Sequence, residues 1–537
     1  MPTLLAYWPI AAGIVTLYIL QQLWIEYSHR QRARALGCKA PYLRQGKLPL
    51  SVDHLYRALT ALKEDEFLNL EVRTHAEIPG GLSTFHQASL GRKILMTTDP
   101  ENIKAMLATQ FKDFGLGPIR YNVLEPLLGR GIFTSDGKDW QHSRAILRPQ
   151  FSRTQISNLH VEEIHVQHLL NRLEQDAGGW TKEVNLAPLF FNLTLDSATE
   201  FLFGKSVNTQ VLLGPNAKAR VGGGGGGGDS EKAGDEAMED WSSFGQAFDS
   251  ANRSMTRRFL LMSFYYLHNP SSMHRDCAEV RRFADYYVQR ALARSPARAA
   301  EEDGTEYVFL NELAKETRDP DVLRNQLLNI LLAGRDTTAG LLGWATLRLA
   351  RQPAAYAKLR AAVLADFGPY SATDSTSRIT FETLKACTHL QHVLSETLRL
   401  HPSVPANFRR ALRDTTLPRG GGPDGQSPIY VRAGSEIAYS TNVMHRRPDL
   451  WGSDAAEFRP ERWEGKKVGW EYLPFNGGPR ICLGQQFALT EAAYVLVRLV
   501  QKYDLMENLD PSPVIKSNLT LTSSPVQTLV RLHEAAA

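Results

Sequence analysis

The chain has 537 residues, of which 43% are hydrophobic and 22% charged, and its formal net charge is +4. That is an ordinary globular balance, with length for several average domains or for one large one with a tail. Lys and Arg are interspersed with Asp and Glu instead of forming a basic block, which argues against nucleic-acid binding.

From Leu4 to Ile25 no residue is charged. At about 1.5 Å per residue this run is long enough to cross about 30 Å of hydrocarbon. Tyr7, Trp8, Trp24 and Tyr27 lie near its ends, where amphipathic rings favour the interface, and His29, Arg30, Arg32, Arg34 and Lys39 follow it. The pattern predicts one transmembrane helix in an anchor over 1–28, kinked near Pro9, with everything after it cytosolic. A cleaved signal peptide fits worse: no Lys or Arg precedes the run and no small-x-small site follows it closely. A basic, proline-containing linker over 29–50 then leads to one soluble body over 51–537.

Between about 40 and 100, short alternating stretches such as Lys93–Thr97 predict a small sheet with a helix or two. From about 101 to 400 the pattern is helical, over Asn158–Glu174, Asn192–Phe203, Arg275–Arg294 and Asp321–Arg351. The stretch 211–239 interrupts it with Gly222–Gly228 followed by acidic and small residues, a composition that predicts a flexible insertion. No strand precedes those glycines and no helix follows directly, so they carry no phosphate-loop logic. After 400 strands and turns return, with one more helix from about Cys482 to Tyr503.

The four cysteines, Cys38, Cys277, Cys387 and Cys482, show no CxxC spacing, against a zinc site or a disulfide framework. Only Cys482 sits in an unusual context. Gly477, Gly478 and Pro479 predict a tight turn, and Cys482 follows at the start of an apolar-periodic helix. A thiol there meets the positive end of the dipole and free backbone N–H groups, which lower its pKa and favour a thiolate, a soft metal ligand. Gly484 leaves space for a flat cofactor, and Arg480 is placed to pair with a carboxylate on it. The bland alternative is a buried structural cysteine after a turn.

Phe475, Gly478, Arg480, Cys482 and Gly484 fill every fixed position of FxxGxRxCxG, and the loop resembles the haem-binding signature of the cytochrome P-450 family. Three further motifs stand in the family's order. Ala333-Gly334-Arg335-Asp336-Thr337 resembles its oxygen-activation motif: the small residues leave room for O2, Thr337 holds a water or an oxygen atom of the dioxygen, and Asp336 relays protons. Apolar flanks predict that this helix is buried, so Asp336 and Thr337 need a reason to be there. Glu396-Thr-Leu-Arg399 matches ExxR, and Phe458-Arg-Pro-Glu-Arg462-Trp463 matches a later segment. The resemblance implies that Glu396, Arg399 and Arg462 form a buried charge network behind the cysteine loop. Trp140 and Arg144 match WxxxR, and with Arg409 they are implied to contact haem propionates.

The resemblance covers about 40–535. It implies a mainly α fold with small β-sheets, the cytochrome P-450 fold, and haem b held by Cys482. Insertion of one atom of O2 into a C–H bond follows as the expected reaction, because fold members that isomerise or dehydrate peroxides often lose the Asp–Thr pair kept here. The chain has no dinucleotide fingerprint and no iron–sulfur cysteine set, so electrons are expected from NADPH through a separate P-450 reductase at the endoplasmic reticulum membrane. Lys138, Arg148, Lys466 and Lys467 are candidate docking residues. Segments including Leu127–Ser135, His142–Phe151 and Pro402–Pro405 resemble the fungal alkane- and fatty-acid-hydroxylating branch. Terminal hydroxylation of a fatty acid or long alkyl chain is thus expected, with Val404, Ala406 and Asn407 near the pocket. Oxidative tailoring in a fungal secondary-metabolite pathway is the alternative, and a haem-binding sensor without turnover is the alternative of another class.

Overall fold

The computed structural model describes residues 8–153, 159–212, 241, 243–293, 307–371 and 378–536. Apart from Val211 and Leu212, the glycine-rich insertion falls outside them.

The alternation predicted before residue 100 folds as a hairpin. Strands β2 (Thr84–Ser89) and β3 (Arg92–Thr97) pair antiparallel, Phe85 opposite Met96. Leu90 and Gly91 turn the chain at positive φ, the handedness a two-residue hairpin loop needs. Flanked by β1 (Tyr42–Arg44), β4 (Phe114–Gly115), β5 (Ala406–Ala411) and β6 (Glu436–Ser440), they make a six-stranded sheet in the order β1-β2-β3-β6-β5-β4. In this way residues far apart in sequence meet: Arg409 lies opposite Ile437, which pairs with Leu95.

The rest is mainly helical, as the sequence predicts. The helices that build the site are α1 (Trp8–Ala35), α2 (Gly117–Leu128), α3 (Gly137–Leu147), α4 (His160–Leu170), α5 (Leu186–Phe203), α6 (Phe244–Leu260), α7 (Pro320–Ala350), α8 (Thr388–Leu400) and α9 (Gln485–Lys502). Helix α7 starts cleanly: Asp319 caps the N–H groups of Asp321 and Val322, and Pro320 occupies the first turn. Its apolar residues face all round, so it is buried along its length. Leu342, Ala345 and Leu349 join a core with Val495, Val497 and Leu499 of α9, while Leu327, Leu328 and Leu331 join another with Phe244 and Phe248 of α6. Gly340 lets a strand approach α7, since a Cβ there would lie 2.4 Å from the Ser523 carbonyl oxygen.

The transmembrane expectation rests on the run Leu4–Ile25, of which the structure describes the part from Trp8 onward, within α1. No helix among the described residues is long and apolar enough to cross a membrane. The uncharged run is diluted by Gln21 and Gln22, and Leu4–Tyr7 lie outside the described residues. The C-terminal turns of α1 are tied to the body: Arg32 pairs with Asp414 at 3.0 Å, Arg432 with Glu26 at 2.6 Å, and His29 Nδ1 lies 3.0 Å from the Tyr430 hydroxyl. What α1 does present is an exposed apolar surface including Ile14, Leu17, Leu20 and Trp24.

Candidate active site: the cysteine loop and its cavity

The loop before α9 is held from several sides. Gly478 has φ 67°, and a Cβ there would lie 1.8 Å from the Leu107 carbonyl oxygen, so only glycine fits. The Cys482 N–H donates to the Phe475 carbonyl at 3.0 Å, and Arg144 Nη1 donates to the Ile481 carbonyl at 3.0 Å. Helix α9 starts at Gln485, so Cys482 precedes the helix instead of opening it. Its thiol pKa is raised by burial, against the lowering effects of the Gly484 N–H and the Arg144 guanidinium. Burial at this thiol thus acts against the helix end and Arg144.

Cys482 opens on an internal cavity of about 560 Å³. Trp140, Arg144, Thr337, Arg409, Phe475, Arg480 and Gly484 line the same cavity, as do Val404, Ala406 and Asn407. Asp336, Glu396, Arg399 and Arg462 do not reach it; they stand behind the wall.

Four guanidinium groups gather at one part of the lining. Arg480 donates to Asp136 at 2.7 Å and lies 4.3 Å over the Trp140 ring. Arg409 donates to the Phe408 carbonyl at 2.8 Å and lies over Tyr439. Arg120 of α2, which the sequence did not single out, donates to Asn407 Oδ1 and leaves its Nε without a partner. Burial, then neighbouring Arg409, pushes Arg120 down to about 10, and burial pushes Arg480 down to about 9 despite Asp136. Among the described residues no ion pair holds Arg120, Arg144 or Arg409, and buried cations are costly unless paired. The cradle is short of anions, which fits a flat group carrying two carboxylates. Haem b fits: Cys482 would hold its iron, Arg144, Arg409 and Arg480 would face its propionates, and Gly484 would leave it room, since a Cβ there would have only Phe151 nearby, at 3.5 Å.

On α7, Thr337 Oγ1 donates to the Ala333 carbonyl at 2.6 Å, and Ser403 donates to the Thr337 carbonyl at 3.1 Å. A Cβ on Gly334 would meet nothing closer than 3.9 Å, so the motif's small residues do leave space. Asp336 is buried between Arg335, at 3.1 Å, and Asn252 Nδ2 of α6, also at 3.1 Å. Burial, countered by Arg335, leaves its pKa raised to about 6. Arg335 also pairs with Asp249, whose side chain is 42% exposed and so touches solvent.

Behind the loop, the Glu396 carboxylate accepts from Arg399 Nε and Nη2 at 2.8 Å each, from Arg462 Nε at 3.2 Å, from Trp463 Nε1 at 3.1 Å and from the Arg459 N–H at 2.9 Å. The network has a member that no motif announced. His445 Nδ1 donates to the Arg399 carbonyl at 3.2 Å, and its Nε2 accepts from the Leu473 N–H at 2.9 Å, two residues before Phe475. His401 stacks on Trp344 at 3.9 Å and accepts from Arg348 Nε at 2.9 Å.

Both histidines are held neutral. Burial, then Arg399, pushes His445 down to about 3; burial, then Arg348, pushes His401 well below its usual value. The unfolded chain protonates both near pH 6.5, so below that value the unfolded state binds more protons. Stability is full above pH 6.5 and falls on acidification, by up to about 1.4 kcal/mol per unit for each histidine, down to the folded pKa. Calorimetry is expected to show the unfolding midpoint dropping from pH 7 to pH 5; a flat midpoint would contradict their burial as neutral rings.

The family model described as "Cytochrome P450" matches residues 63–530. The chain belongs to the cytochrome P-450 family. It is 46% identical over 518 residues to cytochrome P-450 monooxygenase g430 of a Fusarium species, covering 95% of this chain and 87% of that one. Similar relatives include cytochrome P-450 52A13 of Debaryomyces hansenii, 46% identical over 86% of this chain and 85% of the relative, and 52A3-B of Candida maltosa, 44% identical over 95% and 94%. A crystal structure of a cytochrome P-450DA mutant haem domain superposes with TM-score 0.71 at 21% identity, over 93% of this chain and 98% of that one, which shows the shared fold. The chain is thus a P-450 monooxygenase, an oxidoreductase that uses haem with O2 and takes electrons from NADPH through a reductase.

Proposed function

We propose that this P-450 hydroxylates fatty acids or long alkanes at or near the chain terminus, with Cys482 as the iron ligand. The observation that carries this is the lining of the cavity. Away from the arginine cradle its walls are largely apolar, including Phe67, Leu124, Phe201, Leu260, Val404 and Leu519, and they lead to Ala333, Gly334 and Thr337. Such a lining takes up an alkyl chain by the area it removes from water, about 25 cal/mol per Å².

When bound, the haem supplies oxygen activation, and thiolate ligation favours O–O cleavage. The chain's residues supply the rest. Arg144, Arg409 and Arg480 neutralise the propionates. Trp140 packs under Arg480, and Phe475 and Gly484 shape the floor. Thr337 holds a hydroxyl at the cavity wall. Asp336, raised to about 6, exchanges protons with solvent on the side of the partly exposed Asp249, is held there by Arg335 and Asn252, and releases protons toward Thr337. Glu396, Arg399 and Arg462 keep the loop in place. Terminal selectivity follows when the alkyl chain enters end-on.

The test is turnover of the full chain with NADPH and P-450 reductase on hexadecane, hexadecanoic acid and a polycyclic terpenoid, with products identified by mass spectrometry. Terminally hydroxylated alkyl products are expected. Turnover of the polycycle alone would overturn the substrate assignment. In the same assay Asp336→Asn is expected to lower product per NADPH by about a hundredfold, the scale of a lost proton relay. Its pH profile loses the inflection near 6, the value to which Asp336 is raised.

The same proposal puts residues 51–537 at the cytosolic face of the endoplasmic reticulum. The exposed apolar residues of α1 bring the body to the membrane, where lipophilic substrates partition. Lys138, Arg148 and Lys467, which are exposed, and Lys466, 4.4 Å over the Trp451 ring, are the reductase-facing candidates.

A further inference from the structure

The loop between α2 and α3 is fastened to α7 by a side chain that lies outside the motifs above. Helix α2 ends at Gly129, with φ 60°, and the chain then turns through Gly131. The turn is knit internally. The Gly131 N–H donates to Thr134 Oγ1 at 2.8 Å, Thr134 Oγ1 donates to the Gly129 carbonyl at 2.8 Å, and Ser135 Oγ donates to the Gly131 carbonyl at 2.6 Å. Asn329 of α7, fully buried, holds this turn at both ends. Its Nδ2 donates to the Leu128 carbonyl at 3.1 Å, and its Oδ1 accepts from the Phe133 N–H at 3.1 Å. The other Nδ2 hydrogen goes to the Asn325 carbonyl, one turn back, at 2.7 Å.

Two glycines are shaped to this clasp. A Cβ on Gly131 would lie 2.4 Å from Asn329 Nδ2, and a Cβ on Gly129 would lie 2.3 Å from Asn325 Oδ1, so the loop backbone lies directly on α7. A buried polar network whose groups are paired is rigid. What it makes rigid here is cavity wall. Leu128, Ile132 and Phe133 line the cavity, as do Ala333, Gly334 and Thr337 of α7, and Ala333 stands one helical turn after Asn329. The N–H that Asn329 accepts is that of Phe133 itself.

Rigidity at this wall bears on which carbon reacts. A primary C–H bond is stronger than the secondary bonds behind it, so an unconstrained alkyl chain reacts at interior carbons. A terminal product needs a wall that admits the end of the chain and keeps its flank away. A wall that gives way by about 1 Å no longer separates neighbouring carbons. We propose that Asn329 is a positioning residue for regiochemistry: by clasping the loop at Leu128 and Phe133 it makes Ile132 and Phe133 a fixed wall beside Ala333 and Thr337, which favours the terminal carbon over its neighbour. The regiochemical part rests on the alkyl-terminal reading above; the clasp itself does not.

The test uses the haem-loaded full chain and Asn329→Leu, which nearly keeps the volume and removes the hydrogen bonds to Leu128, Phe133 and Asn325. The first readout is terminal over penultimate hydroxylation of hexadecanoic acid with NADPH and reductase. This ratio is expected to fall about tenfold, equal to about 1.4 kcal/mol between the two barriers. The second readout needs no substrate: the affinity of the ferric haem for 4-phenylimidazole relative to imidazole, followed by the Soret shift. A loosened wall is expected to admit the bulky ligand about tenfold better. Gly131→Ala, whose methyl group would displace the Asn329 amide, is expected to move both readouts in the same direction and stands in if Asn329→Leu does not fold. Gln326→Leu removes another buried amide of the same helix, one that donates to Ser143 Oγ of α3 at 2.7 Å instead of to the loop, and is expected to move neither. An unchanged ligand ratio in folded Asn329→Leu, or an equal change in Gln326→Leu, would overturn the clasp. A shifted ligand ratio with an unchanged product ratio would overturn its part in regiochemistry. If the wild type forms no terminal product, the substrate assignment fails and the regiochemical role with it, while the ligand ratio still decides the clasp.

Discussion

Cys482→Ser is expected to abolish the red-shifted reduced-CO band that marks thiolate-ligated haem, and NADPH-driven product with it. The loop does not depend on sulfur for its shape. The Cys482 N–H bond to the Phe475 carbonyl, the Arg144 bond to the Ile481 carbonyl and the glycine at 478 all survive the change. Serine has nearly the same volume, and the arginine cradle is untouched, so the variant is expected to fold and to retain haem in part. What changes is the ligand: a hydroxyl does not ionise in an environment where burial already raises a thiol. A hard neutral oxygen also lacks the electron donation that favours O–O cleavage. The check is the difference spectrum of reduced, CO-saturated protein beside the circular dichroism of the same sample. A folded variant that keeps the red-shifted band would remove Cys482 from the iron.

The sequence disclosed the site unevenly, for physical reasons. Positions that touch a fixed group are legible because geometry leaves few choices: Gly478 faces a carbonyl, and Arg144 and Arg480 line the cavity beside Cys482. The long helix around Asp336 is legible because its flanks are apolar all round. The groups that hold those residues are not, since they meet only in three dimensions. Arg120 comes from α2 and meets Asn407 on β5. Asn252 comes from α6 and meets Asp336 on α7. His445 looks like any other histidine until its ring is seen between Arg399 and Leu473.

Arg399→Leu is expected to cost about 3–5 kcal/mol, because it strands the Glu396 carboxylate in the core. That is a large share of the roughly 5–15 kcal/mol that separates a folded domain from its unfolded chain. Glu396→Gln keeps the shape and some of the hydrogen bonds but leaves Arg399 and Arg462 without their shared anion, so it is expected to be destabilising too. The two losses are not additive, since both variants break the same pair; the double variant Glu396→Gln/Arg399→Leu is expected to be less destabilised than their sum. The effect is also expected to travel. Arg399 Nη1 donates to the His445 carbonyl at 2.8 Å and to the Ala455 carbonyl at 2.7 Å, and His445 takes the Leu473 N–H. Losing the guanidinium therefore loosens the segment that enters the cysteine loop. Hydrogen exchange is expected to show lost protection over 473–482 in Arg399→Leu while the α7 core stays protected. Arg399→Lys separates charge from geometry: it keeps the cation but lacks the planar fork that serves Glu396 and the carbonyls together. If lysine restored both stability and protection, charge alone would suffice; the geometry of Glu396 predicts that it does not.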